Sequence, residues 1–153
     1  YFNPDSSTPK IGKISKDEGT FSTLAIYTMK YYFHPKDGCY LYRIEWQDKK
    51  LVFATDVEEY VGSDQRLINF SREADVLIHD AQYTPEQYTK FSGYGHSSYV
   101  MACDAARKAN VKKLLLYHHD PNNSDEMLRG MEKEAKKLFA ASELATEQWE
   151  WVL

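Results

Sequence analysis

Four apolar segments of this 153-residue chain each end in a histidine or an aspartate. Each segment has the length and apolar character of a buried β-strand. Neighbouring strand ends of one sheet lie about 5 Å apart, so side chains that follow adjacent strands can meet at one edge. The chain is therefore predicted to bring several polar side chains together. The segments are KYYF, LVFAT, VLI and LLLY, followed by His34, by Asp56, by His79 and Asp80, and by His118 and His119.

Helix signals alternate with these strands. Thr84 and Pro85 are typical of a helix N-cap and first turn, and Ser97 or Ser98 precedes an alanine-rich helix. Ser124 precedes a long amphipathic helix, and SDQRLINFSREA also has a helical pattern. Before SDQRLINFSREA, the regular segments of the chain are all strand-like. This order predicts an α/β (α+β) fold with a mixed sheet, in which an antiparallel meander leads into α/β alternation with helices on one face.

Two strand predictions concern particular faces and ends. CYLYRIEW alternates, and we expect the face with Tyr40, Tyr42, Ile44 and Trp46 to be buried. The segment TEQWEWVL also alternates and is predicted to form the closing strand.

Composition limits the possible partners and compartments. The net charge of −4 argues against a nucleic-acid partner, although local charge matters more than the total. No segment of about 18 apolar residues indicates a membrane span, and no signal peptide opens the chain. Cys39 and Cys103 form no CxxC motif, which favours free thiols in a reducing compartment. We therefore expect a cytoplasmic protein.

The histidines and aspartates at the strand ends suit a divalent metal ion. A single histidine or aspartate after a strand is more often a surface, core or turn residue. Imidazole nitrogen and carboxylate oxygen from several separated strand ends together favour a borderline or hard cation. Asp120 precedes Pro121 and is interpreted as a turn former, whereas the sequence leaves open whether His119 faces the site.

Four segments together resemble a known family. FHPKDGCYLYRIE, LVFATDVE, ADVLIHDAQYT and GYGHSSYVMACDAARKANVKKLLLYHHDP resemble, in order and spacing, the C-terminal half of metallo-β-lactamase-fold hydrolases. The branch with ribonuclease Z and related phosphodiesterases is the most similar. The resemblance implies half of an αββα sandwich.

The resemblance also implies roles for five residues. His34, Asp56 and His118 match metal ligands, with Asp56 bridging two metal ions. His96 matches a histidine that contacts the substrate phosphate and transfers a proton, and Asp80 would orient His96. The implied cofactors are two divalent ions, zinc first, with manganese or iron as alternatives. Arg43 and Tyr83 could contact the substrate.

The family's HxHxDH motif is absent from these residues. We therefore expect residues 1–153 to be a C-terminal portion of the fold domain, with the half that carries HxHxDH elsewhere. Its sheet would pair with that N-terminal half or with a swapped copy, so a homo-oligomer is expected. The portion alone is expected to be inactive.

Four functions follow as hypotheses. The leading one is a metal-dependent phosphodiesterase that acts on a small phosphodiester. A tRNA-processing endonuclease is a second, although only a short hairpin separates Arg43 from Asp56, where tRNA-maturing relatives carry a long arm. A di-iron oxidoreductase and a non-catalytic binding or regulatory module are the others.

Overall fold

A computed structural model describes residues 10–15, 21–59, 63–148, 150 and 152, with side chains from residue 23 onward. Within this part, seven strands form one sheet in chain order. The first four strands pair antiparallel and the last four pair parallel, with the fourth shared. The predicted mixed sheet is confirmed. The strands are β1 (Lys10–Ser15), β2 (Phe21–Tyr31), β3 (Cys39–Trp46), β4 (Lys49–Ala54), β5 (Val76–Asp80), β6 (Lys113–Tyr117) and β7 (Ser142–Leu144).

The helices begin where the capping residues predict. Thr84 forms a capping box with Gln87, and the side chains of Ser98 and Ser124 each accept a hydrogen bond from a first-turn amide. Ser98, not Ser97, therefore caps the alanine-rich helix. Asp64 caps the helix before β5. The helices are α1 (Gln65–Ser71), α2 (Pro85–Phe91), α3 (Tyr99–Ala109) and α4 (Asp125–Leu138).

The main core lies between the sheet and the helices. Leu67 of α1 and Ala106 of α3 belong to one apolar cluster with Leu77 of β5 and Leu114 of β6. All four are fully buried. Burial of such side chains is the main stabilising contribution here, at about 1.5–3 kcal/mol for each large one. None of the helices in the described part is long and apolar enough to cross a bilayer.

The predicted buried face of β3 is wrong. Tyr40 and Tyr42 are 54% and 41% exposed, whereas Leu41 is fully buried. The period of two is correct, but Leu41 pairs with Met29 on the helix-covered face. The apolar bulk of the tyrosines misled the assignment, because a sheet face can carry large aromatic residues without being covered.

The predicted closing strand, TEQWEWVL, falls largely on residues that the structure does not describe and stays a prediction. Within the described part, the final strand is β7, at Ser142–Leu144, and residues 147–148 form a turn. β7 pairs with β6 and packs beside α4. Trp149, Trp151 and Leu153, on which the prediction depended, lie outside the described residues.

Candidate metal centre

Four metal-competent side chains converge at one edge of the sheet. Asp56, Asp80, His96 and His118 each offer a ligand atom, and these atoms lie within 4.8 Å of one another. Asp56 follows β4, Asp80 ends β5 and His118 follows β6. Since these three strands are parallel, their carboxyl ends share an edge. His96 reaches the same place from the loop before α3.

Asp56 and His118 form the solvent-accessible half of this cluster. His118 Nε2 lies 2.6 Å from Asp56 Oδ1, and the two side chains are 34% and 39% exposed. Thr55 Oγ1 donates to the same aspartate oxygen at 3.1 Å. The His118 ring also stacks on His96, with 4.7 Å between ring centroids. The Asp56 carboxylate and the His118 imidazole are therefore open to an incoming ligand.

Asp80 is the buried half of the cluster, and hydrogen bonds occupy its carboxylate. It accepts from the backbone amides of Val57, Gln82 and Ser97 at 3.1–3.3 Å. His96 Nδ1 lies 2.7 Å from its Oδ2. Burial lowers the pKa of His96, but the hydrogen bond and charge of Asp80 outweigh that effect and raise it above its ordinary value. This geometry fixes the His96 ring with Nε2 directed away from Asp80.

His34 lies beside the cluster, not within it. Its ring is edge-on to His96, with 5.5 Å between centroids, and it is absent from the converging set of four. The ring packs against the loop before His96, since a Cβ added to Gly95 would lie 2.8 Å from His34 Cδ2. Its role as a metal ligand stays a prediction.

The other candidate residues at the strand ends, His79, His119 and Asp120, do not belong to the cluster of four. His79 is fully buried, its Nδ1 lies 2.7 Å from the Asp80 carbonyl oxygen, and burial lowers its pKa. His118, not His119, joins the cluster. Asp120 Oδ1 accepts from the Asn122 amide at 2.8 Å, as a turn former does.

The two residues suggested as substrate contacts differ in position. Arg43 lies over the rings of Tyr27 and Phe70 and pairs with Glu45 at 3.0 Å, which is a packing arrangement. Tyr83 is buried and edge-on to His96, with 6.3 Å between ring centroids.

Glu58 is a site residue that the sequence did not reveal. Its Oε1 accepts from the Gly93 amide at 2.6 Å and from the Tyr88 hydroxyl at 2.9 Å, and its Oε2 accepts from the Gly95 amide at 2.8 Å. The side chain is buried. Glu58 thus fastens the loop that carries His96. A loop glutamate gives no sequence signal for this role, because charged residues in loops usually face solvent.

Ser97 ties the same two loops a second time. Its hydroxyl donates to the Val57 carbonyl at 2.7 Å and accepts from the Glu59 amide at 3.0 Å. The segment after β4 and the loop before α3 are therefore one hydrogen-bonded unit. Asp56 and His96 are held in a fixed relation by this unit.

We expect Gly95→Ala to destabilise the protein more than Gly93→Ala. Both glycines have φ near +90°, so both variants incur the same backbone strain. A Cβ at Gly95 would lie 2.3 Å from Pro35 Cδ, whereas one at Gly93 meets nothing within 4 Å. Overpacking should add about 1–3 kcal/mol to the loss. Urea unfolding measures the difference, and equal losses would show that His34 and Pro35 do not pack on this loop.

Glu59 is a buried carboxyl group that should make stability depend on pH. Neither of its oxygens has a hydrogen-bond partner within the described part of the chain. Burial raises its pKa from 4.5 to about 8; interactions with the Asp64 backbone and the Ser63 side chain oppose this shift, and the charges of Asp64 and Asp104 reinforce it.

Between pH 4.5 and 8 the unfolded chain loses a proton at Glu59 that the folded protein keeps. The free energy of unfolding should therefore fall as pH rises through this window, and level off above it. Glu59→Gln should remove this pH-dependent component. The free energy of unfolding of the variant should therefore rise relative to that of the parent protein as pH rises. Urea unfolding at several pH values tests this, and parallel curves for the two proteins would contradict it.

The donor set fits a divalent cation. The Asp56 carboxylate, which is not saturated by hydrogen bonds, lies 2.6 Å from the His118 imidazole nitrogen, and nitrogen with oxygen ligands suits zinc, manganese or iron. The buried Nδ1 of His118 has no hydrogen-bond partner in the described part. Asp80 has its lone pairs occupied, which suits an orienting residue better than a ligand.

Comparisons with known proteins give a consistent result. No family model matches the chain. Proteins named ribonuclease Z from Bacillus cereus and Bacillus thuringiensis are 35% identical over 88 residues, which cover 55% of this chain and 29% of each relative. The chain thus spans less than a third of the length of these relatives.

Solved structures share the fold. A metallo-β-lactamase-fold protein, YhfI from Bacillus subtilis, has a TM-score of 0.70 and 26% identity over 98% of this chain and 52% of its own. The short form of human tRNase Z has a TM-score of 0.60 and 20% identity, over 88% of this chain and 44% of its own. The predicted fold class is confirmed.

The expectation that nucleic acid is an unlikely partner is wrong. The relatives are named as ribonucleases, and the human neighbour as a tRNase. Net charge misled the prediction, because a total over the whole chain does not give the local field at a binding surface. In sequence and in fold, the chain is similar to the ribonuclease Z-like branch of the metallo-β-lactamase-fold proteins.

Proposed function

We propose that this protein is a metal-dependent hydrolase of phosphodiester bonds, with RNA as the favoured substrate class. The observation that carries the proposal is the convergence of Asp56, Asp80, His96 and His118 at one sheet edge. The sequence similarity to proteins named ribonuclease Z supports RNA as the substrate.

Asp56 and His118 would hold the metal, with His34 as a third ligand from the rim. Two divalent ions, zinc first, are the proposed cofactors. When bound, such ions lower the pKa of water to near 7 and offset the negative charge of the phosphate. Asp56 would be the anionic ligand, because a carboxylate offers two oxygens and a negative charge.

His96 would be the proton donor. Asp80 accepts a hydrogen bond from Nδ1, so Nε2 is left to donate to a phosphate oxygen or to the leaving group. The raised pKa of His96 favours the protonated form that a donor needs. Asp80 acts through His96, as the orienting member of a triad does.

A small phosphodiester is the second candidate substrate. β3 and β4 are joined by a two-residue hairpin, Gln47–Asp48, so no gripping arm is inserted between Arg43 and Asp56. Without such an arm, binding at the site does not depend on a large substrate that extends beyond the metal centre. This observation favours a small ester, whereas the sequence similarity favours RNA.

The experiment is a hydrolysis assay on the full-length protein with a precursor tRNA and with bis(p-nitrophenyl) phosphate. We expect hydrolysis that a chelator abolishes and that added zinc or manganese restores. Faster turnover of the tRNA would support RNA, and faster turnover of the small ester would support the second candidate. Stoichiometric metal without hydrolysis of either substrate, or hydrolysis that survives the chelator, would contradict the proposal.

We also propose a reducing, cytoplasmic environment for the protein. Cys39 and Cys103 are both free thiols. Burial, then the charge of Asp56, raises the pKa of Cys39 to about 11, and burial raises that of Cys103 to about 12. Both groups would remain protonated and unreactive, which suits structural cysteines, of which Cys103 is buried and Cys39 partly buried.

A further inference from the structure

A ladder of aromatic rings leads from the candidate metal centre to the surface. Tyr83 is edge-on to His96 and stacks on Phe91, with 5.4 Å between the centroids of the two aromatic rings. Phe91 in turn meets Tyr94 edge-on at 5.8 Å. Exposure rises along the ladder, from 5% at Tyr83 through 39% at Phe91 to 64% at Tyr94. The outermost ring is thus both apolar and open to solvent.

The loop presents Tyr94 in a fixed position. The amides of Gly93 and Gly95, on either side of Tyr94, both donate to the buried Glu58 carboxylate. The Tyr94 amide donates to the Phe91 carbonyl at 3.2 Å. Three consecutive backbone amides are therefore anchored. An exposed tyrosine on a mobile loop would need no explanation, but one on an anchored loop two residues before His96 does.

We propose that Tyr94 forms a stacking subsite for an unpaired RNA base next to the phosphodiester at the metal centre. This inference rests on the proposed function and names the feature of the substrate that is recognised. A base stacks well on an exposed aromatic ring, and such recognition tolerates any base. The anchored loop would reduce the entropic cost of ordering the ring on binding.

The chemistry at the site favours a base as the occupant. The ring belongs to the same loop as His96, so a group on Tyr94 and a phosphate at His96 would belong to neighbouring parts of one molecule. An unpaired nucleotide offers a planar ring beside a phosphodiester. A single-stranded segment, not a duplex, would be bound, because paired bases are stacked on each other.

The test compares two oligomers with the same charged backbone. The full-length protein, with chelator present to prevent cleavage, would be titrated with fluorescently labelled pentauridylate and with an abasic ribose-phosphate pentamer. Tyr94→Ala should weaken binding of pentauridylate about tenfold, in the range found for loss of one stacked base. Tyr94→Phe, which keeps the ring, should bind like the parent protein. All three should bind the abasic pentamer equally.

Leu138→Ala is the matched control, because Leu138 is half exposed and apolar but lies at the far end of α4. It should change neither affinity. Equal weakening of both oligomers by Tyr94→Ala, or no weakening of either, would overturn the stacking proposal. A lower melting temperature with unchanged affinities would also overturn it, since Tyr94 would then stabilise the fold without contacting RNA.

Failure of this inference is distinguishable from failure of the proposed function. Hydrolysis by both the parent and Tyr94→Ala proteins, with no dependence on the bases, would leave the function and remove the subsite. Base-dependent binding without any metal-dependent hydrolysis would support the subsite and remove the hydrolase.

Discussion

Replacing Asp56 by asparagine is expected to remove both the bound metal and the hydrolytic activity. The carboxylate lies 2.6 Å from His118 and is accessible to solvent, so it is the anionic group best placed to bind a cation. Asparagine keeps the shape but offers one neutral acceptor oxygen and no charge. We expect the rate to fall about a hundred- to thousandfold, as for other groups that stabilise charge at a reaction centre. Metal analysis and the hydrolysis assay measure the two effects.

Asp120→Asn is the matched control, because Asp120 also follows a strand that ends near the site. Its Oδ1 accepts hydrogen bonds from the backbone and side chain of Asn122, which an asparagine carbonyl can also accept. This variant should keep its metal and rate. If Asp56→Asn kept both as well, Asp56 would have no role in metal binding.

Glu58→Gln is expected to lower stability and activity together. A glutamine has one acceptor oxygen and one amide donor, so either the Gly95 amide or the Gly93 and Tyr88 donors would face an N–H group. Loss of a hydrogen bond to a buried charged group, with a donor left unsatisfied, costs about 1.5–3 kcal/mol. This should lower the melting temperature by roughly 5 °C or more.

The rate should fall about a hundredfold, because displacement of a catalytic side chain by about 1 Å has effects of that size. His96 would lose its position, so kcat should fall more than KM rises. Thermal unfolding and steady-state kinetics on the same preparation measure both effects.

Glu59→Gln is the matched control. It shows whether the losses expected for Glu58→Gln follow from the hydrogen bonds of Glu58 or from the removal of any buried carboxyl group. Glu59 is adjacent and equally buried, but its oxygens accept no hydrogen bond within the described part. Its variant should keep kcat and should not lose stability at neutral pH. A Glu58→Gln protein with normal kcat would show that the loop holds His96 without Glu58.

The sequence was sufficient where the signal is local. Strands β4, β5 and β6 are short apolar segments, and the caps at Thr84 and Ser124 are side chains that bond to their own helices. Such features depend on a few neighbouring residues, so a pattern in the chain predicts them. The same is true of Asp56 and His118, whose place at strand ends follows from the strands themselves.

The sequence failed where a face or a distant contact decides. Alternation in β3 gave the right period, but only the pairing of Leu41 with Met29 shows which face the helices cover. The position of His34 at the rim also depends on how its loop packs against Gly95. Neither fact is encoded in a spacing along the chain.

The sequence by itself determined strands β2 to β6, the helices and the polar residues at the strand ends, because backbone preferences and capping act over a few residues. Only the tertiary structure decided that Asp80 is saturated by three amides and His96, that Glu58 anchors the Gly93–Gly95 loop, and that His118 is chosen over His119. Apart from the Gln82 amide, which is two residues from Asp80, these contacts join residues 16 to 62 positions apart, and they form once the parallel strands place their ends at one edge.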